Sequence, residues 1–210
     1  MDGTIVDTEP YWMDAEVALV ESYGGSWNHT DALALVGQGL WHSARILQGR
    51  GVTLTEDEII ASLTTTVMAR VGEYVPWRPG AKELLLELRE LGIPTALVTM
   101  SMRRMAEMVV AAIDFPAFDH IVAGDDVTHS KPHPEPYLRA AELLGVDAAD
   151  CVALEDSSTG LASAVASGAV SIGVPLMVPI AEGPHHTIWP TLAGRTAADL
   201  AAIFEAGRTP

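Results

Sequence analysis

Asp2-Gly3-Thr4, Thr99-Met100-Ser101, Lys131 and Glu155-Asp156 are the places in this chain where residue type and spacing could do chemistry. Asp2 sits on an Asp-Gly turn, where a carboxylate can protonate a leaving oxygen and later activate water. Thr99 closes an apolar run ahead of a helical pattern, so its hydroxyl and the next backbone N–H groups, at Met100 and Ser101, could hold phosphoryl oxygens. Ser101 also reads as an N-cap for the helix expected from Met102. Lys131 is one of only two lysines and is framed by prolines in Ser130-Lys131-Pro132-His133-Pro134-Glu135-Pro136. A lysine held in that way suits the charge of a transferring phosphoryl group. Glu155 and Asp156 end another apolar run, and adjacent acids there are costly unless paired or bound to a metal. Hard oxygen ligands favour Mg²⁺. The following Ser157-Ser158 could equally cap the next helix.

These residues need elements to position them. Up to residue 75 the chain is mostly helical, with periodic segments at Glu9–Tyr23, Ala32–Val36, Leu40–Gln48 and Glu56–Tyr74. Thr55-Glu56-Asp57-Glu58 reads as a capping box. Pro76-Trp77-Arg78-Pro79-Gly80 reads as a linker. Thereafter helices (Ala81–Leu91, Met102–Ala112, Glu135–Leu144, Thr159–Ser167, Thr196–Ala206) alternate with apolar strands (Ile93–Val98, His120–Gly124, Cys151–Leu154, Val170–Val174). That alternation predicts right-handed βαβ units and a parallel sheet. Ligands of such sheets bind beyond the carboxyl ends of the strands, which is where the hydroxyl, the lysine and the acid pair fall.

Composition narrows the partners. The 210 residues carry 12 basic and 28 acidic side chains, a net charge of −16. This disfavours nucleic acid or an anionic membrane as partner. Cys151 is the only cysteine, in an apolar run, and reads as a core residue. No apolar stretch is long enough to span a bilayer, and acids at positions 2, 7 and 9 do not fit a signal peptide, so a cytoplasmic location is expected. Six of the seven histidines (His29, His42, His129, His133, His185, His186) show no zinc spacing and read as loop or surface residues. Gly37-x-Gly39 lacks the preceding strand of a dinucleotide site.

Taken in order, the four strings resemble the motifs of the haloacid dehalogenase (HAD) superfamily. The helical stretch after the first motif resembles the cap of the beta-phosphoglucomutase-like phosphatases. The resemblance implies a Rossmann-like α/β core at 1–10 and 79–210 and an inserted all-helical cap at 11–78. It further implies a Mg²⁺-dependent phosphatase working through an aspartyl-phosphate on a small phosphorylated metabolite, for instance a sugar phosphate, as a monomer or weak dimer. Asp2 would be the general acid/base, its carbonyl also touching the metal. Thr99 and Lys131 would bind the phosphoryl group, with Gly3, Thr4, Met100 and Ser101 around it. Glu155 and Asp156 would join Asp2 in holding the metal, and Arg45 is the nearest cap cation for substrate. A phosphatase is favoured over a phosphosugar mutase because the insert holds no lysine. In the family the motif reads Asp-x-Asp-Gly-Thr, its first Asp being the nucleophile; Met1 stands at x. The nucleophile and the first core strand are therefore expected upstream of Met1, and the chain as written should be nearly inert. A non-catalytic phosphate- and metal-binding protein is the alternative.

Overall fold

The computed structural model describes residues 1–207. Four helices follow the first turn: α1 (Glu9–Ser22), α2 (His29–Leu33), α3 (Leu40–Gly49) and α4 (Glu56–Glu73). Their starts are set by side chains that satisfy the open N–H groups of a first turn. At α4, Thr55 Oγ1 accepts from Glu58 N at 3.3 Å while Glu58 accepts from Thr55 N at 2.8 Å, the expected capping box. At α2 the same reciprocal arrangement joins Asn28 and Asp31, which starts this helix at His29 rather than Ala32. Helix α4 buries Ile59, Ile60, Leu63, Val67 and Val71, and it packs on α1 and α3.

The remaining chain alternates as expected: α5 (Ala81–Glu90), β1 (Ala96–Val98), α6 (Arg103–Ala111), β2 (His120–Val122), α7 (Glu135–Leu144), β3 (Val152–Glu155), α8 (Ser158–Ser167), β4 (Val170–Gly173), β5 (His186–Ile188) and α9 (Ala197–Gly207). Every strand pair is parallel, with Leu97 opposite Ile121 and Leu154 opposite Ile172. Helix α7 lies against β1 and β2, α8 against β3 and β4, and α9 against β4 and α5. No helix of the described residues is long and apolar enough to cross a membrane.

Several expectations are corrected. β1 starts at Ala96 rather than Ile93, because Pro94 has no N–H and the Thr95 N–H goes to the Asp119 carboxylate at 2.9 Å. β5 has no counterpart among the expected strands; it is three residues long and, among the described residues, pairs only with β4. Residues 76–80 are not a free linker: Asp7 N–H donates to Pro76 O and Arg78 N–H to Ile5 O, both at 2.8 Å, tying this segment to the first turn. Cys151 is only partly buried, and its thiol, pushed up by burial, lies 3.5 Å from Asp147 O.

The sheet is in two pieces. Among the described residues β1 pairs only with β2, and β3 only with β4. Between them lies an apolar cavity of about 430 Å³ whose lining includes Leu97 and Val98, Val152 and Leu154, Leu84 and Leu88, and Phe204. The slot is thus walled by one edge of each half of the sheet.

Within α1, Glu16 is buried and accepts from Trp27 Nε1 at 3.1 Å. Burial raises its carboxyl from 4.5 to about 7. A folded state that holds this proton longer than the unfolded chain loses stability as pH climbs from about 4.5 to about 7, and the loss is constant above. Urea unfolding should therefore find Glu16→Gln more stable than the parent at about pH 8, by roughly 2–3 kcal/mol. The difference should vanish near pH 4.

Candidate active site

The first turn is built around Gly3. Its φ of +67° turns the chain so that Gly3 N–H reaches Val6 O at 2.8 Å and Met1 O receives the Ile5 N–H at 2.8 Å. A Cβ here would stand 2.1 Å from Asp156 Oδ2, so only glycine admits both the backbone shape and the neighbour. Arg78, 8% exposed, braces the turn from below: Nη1 donates to Gly3 O and, at 3.0 Å, to Val174 O, and Nη2 donates to Pro175 O at 3.4 Å. The turn presents Asp2 to three donors. Thr8 Oγ1 donates to Oδ1 at 2.5 Å, Trp12 Nε1 to the same oxygen at 3.4 Å, and Ser101 Oγ to Oδ2 at 2.6 Å. Ser101 thus orients Asp2 and does not cap α6; the Asp125 carboxylate takes the Arg103 N–H instead, at 2.8 Å.

Beyond β1, buried Thr99 accepts from Ser101 N–H at 3.1 Å, and Met100 Sδ receives the Lys131 N–H at 3.4 Å. These contacts draw the β1 and Lys131 loops together. Lys131 Nζ donates to Val98 O at 3.2 Å and is paired with Glu155, both side chains being at least nine-tenths buried. Tyr137, one turn into α7, donates its hydroxyl to the same Glu155 oxygen. Burial, then Glu155, hold that phenol's pKa far above its usual value, so it stays a donor.

Asp156 lies opposite Asp2, with Thr4 Oγ1 donating to its Oδ1 at 3.1 Å. Burial first, then the Glu155 charge, raise the Asp156 carboxyl; Lys131 and the Thr4 hydrogen bond oppose the rise. Glu9 is pushed up to about 8 by burial and then by Asp2 and Asp156. Such crowding of hard oxygen donors in a desolvated pocket suits a hard divalent cation, with Asp156 supplying the carboxylate. Glu155 fits that role poorly, since Lys131 and Tyr137 already occupy its Oε1 and its Oε2 is packed against Gly160.

A cavity of about 120 Å³ opens between these residues and the helical layer; Asp2, Thr99, Ser101, Lys131 and Asp156 line it with Glu9, Trp12 and Ser43. Its roof is the Val36–Leu40 segment. Gly37, at φ +75°, approaches Ser157 so closely that a Cβ would lie 2.7 Å from the serine Cβ. Gly3 and Thr4 do not line this cavity; they shape the turn and orient Asp156. Arg45 does not line it either: its side chain is 56% exposed and pairs with Glu56 at 2.9 Å. Arg50 and Arg70 are likewise paired, with Asp31 and Asp14. Sequence reasoning missed Tyr137, Arg78, Thr8 and Trp12.

Residues 1–168 match the family model of the haloacid dehalogenase-like hydrolases, and the chain belongs to that family. It is similar to hexitol phosphatase B of Escherichia coli K12, 32% identical over 183 residues that cover 83% of this chain and 81% of that one. It is also similar to the fructose-1-phosphate phosphatase YqaB of the same strain, at 30% identity over 84% and 94% of the two chains. Among solved structures, CbbY from Rhodobacter sphaeroides in complex with phosphate superposes with a TM-score of 0.86 at 28% identity, covering 96% of each chain. Beta-phosphoglucomutase from Clostridium difficile shares the fold, with a TM-score of 0.82 at 21% identity over 98% and 94%.

The brace beneath the turn gives a test. Arg78→Met leaves three carbonyl oxygens without their donor in a buried setting, and hydrogen bonds to a charged group are worth about 1.5–3 kcal/mol each. Urea unfolding should show a loss of about 3 kcal/mol or more. Exposed Arg139→Met, whose partner Glu142 is on the same helix turn, should change stability by less than about 0.5 kcal/mol.

Proposed function

We propose that the protein is a Mg²⁺-dependent phosphatase that hydrolyses a small phosphorylated metabolite, with a sugar phosphate the favoured class, through an aspartyl-phosphate. The observation that carries this reading is the convergence of Asp2, Thr99, Lys131 and Asp156 on one cavity beneath a helical roof. The phosphatase names of the relatives support the same reaction class. Residues 1–10 and 79–210 form the catalytic core in this reading, and 11–78 the cap. A single cysteine and acidic charge fit a cytoplasmic enzyme.

Each residue has a task. Thr99 Oγ1 and the N–H groups that follow it receive phosphoryl oxygens. Lys131, held by Glu155, supplies the positive charge that a phosphoryl group needs as its bonds loosen. Asp2, fixed by Thr8, Trp12 and Ser101, gives a proton to the departing ester oxygen and takes one from the water that later attacks the acyl-phosphate. Asp156 and the Asp2 carbonyl would hold Mg²⁺, which when bound neutralises phosphate charge and orients the ester. The nucleophile is proposed to be a carboxylate joined directly to Met1. The Met1 nitrogen is buried among Asp2, Lys131, Asp156 and Glu155, so a residue bonded to it would lie inside the site. Hydrolysis is favoured over phosphosugar mutation because the cap arginines 45, 50 and 70 are each committed to acidic partners.

The test uses the chain preceded by an apolar strand that ends in aspartate. With Mg²⁺ that form should hydrolyse members of a sugar-phosphate panel. Asparagine in place of the added aspartate should slow turnover by about 10⁴-fold or more, and Lys131→Ala by about 10²-fold or more. Equal turnover by the aspartate and asparagine forms would contradict the proposed mechanism, and no turnover by either would favour a phosphate-binding protein.

A further inference from the structure

The loop between β2 and α7 carries Lys131, and it also gathers three potential ligands that the reaction does not use. His129, His133 and Glu135 offer atoms that all lie within 4.8 Å of one another. His129-x3-His133-x-Glu135 lies on a proline-rich loop, where sequence separation does not fix direction. The structure supplies the direction. His129 Nδ1 is 2.7 Å from Glu135 Oε2, and the two imidazoles stack with centroids 4.5 Å apart.

Glu135 is positioned before any ion arrives. Its Oε1 accepts from Thr128 N–H at 2.7 Å and its Oε2 from His129 N–H at 2.9 Å. His133 Nδ1 is used only for a 3.2 Å contact from the Glu135 N–H. Both histidines are exposed, with His129's side chain 61% accessible, so water can complete the coordination and the rings can splay to admit an ion. Two imidazoles and one carboxylate are the donors that borderline ions such as Zn²⁺ and Cu²⁺ prefer, and Mg²⁺ does not. We propose that His129, His133 and Glu135 form a site for a divalent transition ion of the Zn²⁺ class, separate from the carboxylate pocket and seated on the loop that carries Lys131. Such an ion takes the place of the proton between His129 and Glu135 and ties together the two flanks of Lys131. The inference rests on these three side chains and is independent of the phosphatase reading.

Cu²⁺ is the probe that separates the two pockets, because imidazole nitrogen splits its electron paramagnetic resonance and carboxylate oxygen does not. With half an equivalent of Cu²⁺ and excess Mg²⁺, the protein should show nitrogen splitting. The double variant His129→Ala/His133→Ala should lose it, while Asp156→Asn should keep it. By calorimetry with Zn²⁺ in excess Mg²⁺, Glu135→Gln and the double variant should each bind more than about ten-fold more weakly than the parent. His186→Ala, on a separate strand, should bind as the parent does. Nitrogen splitting that survives in the double variant, or a Zn²⁺ affinity there within two-fold of the parent (roughly 0.4 kcal/mol), overturns the proposal.

Discussion

Asp2, Glu9, Glu16, Glu155 and Asp156 all line the cavity beneath the helical roof, and among the described residues Lys131 is the one side-chain cation lining it with them. Carboxylates removed from water repel one another strongly, since the low-dielectric surroundings that raise Glu9 and Asp156 also amplify their mutual charge. Much of the local structure can be understood as the accommodation of that excess. Glu155 is neutralised by Lys131 and held by Tyr137. Asp2 receives two hydroxyls and an indole N–H. Among the described residues Asp156 has only the Thr4 hydroxyl as a hydrogen-bond donor, and in the proposed reaction it is the member of the adjacent pair that would hold the metal.

The same imbalance connects fold to chemistry. A carboxylate in this setting has a defined direction only if the backbone beneath it is fixed, and the first turn has no helix or strand of its own to fix it. Arg78 takes that role by gathering carbonyls from the turn and from the end of β4, so the segment between α4 and α5 becomes the floor of the site. Lys131 is placed in the same indirect way: its ammonium is held by Val98 O at the end of β1 and by Glu155 at the end of β3. It thereby spans the gap between the two halves of the sheet.

What could be read in the sequence was whatever is expressed locally. Polar residues after short apolar runs marked the strand ends at Thr99 and Glu155, and Thr55 with Glu58 marked a helix start. The alternation after residue 80 gave the parallel fold, and the four ordered strings gave the family to which the chain belongs. What escaped depends on partners distant in the chain. Tyr137 looks like one more apolar position of α7, and nothing local says that its hydroxyl meets Glu155. Arg78 looks like punctuation between prolines. Arg45 looked free for substrate because its partner, Glu56, stands on the next helix. His129 and His133 are exposed, as they read, and it is the path of the loop, not distance along the chain, that brings them to Glu135.

The charge imbalance itself is open to direct measurement by following the unfolding temperature as Mg²⁺ is added to the parent and to Asp156→Asn. In metal-free buffer at neutral pH the account predicts that the variant is the more stable of the two, because it removes a desolvated charge. Added Mg²⁺ should then raise the unfolding temperature of the parent progressively, as a ligand confined to the folded state does, and leave the variant unmoved. A variant that is less stable without metal, and that still responds to Mg²⁺ as the parent does, would contradict the central claim that Asp156 is the buried charge this site reserves for a cation.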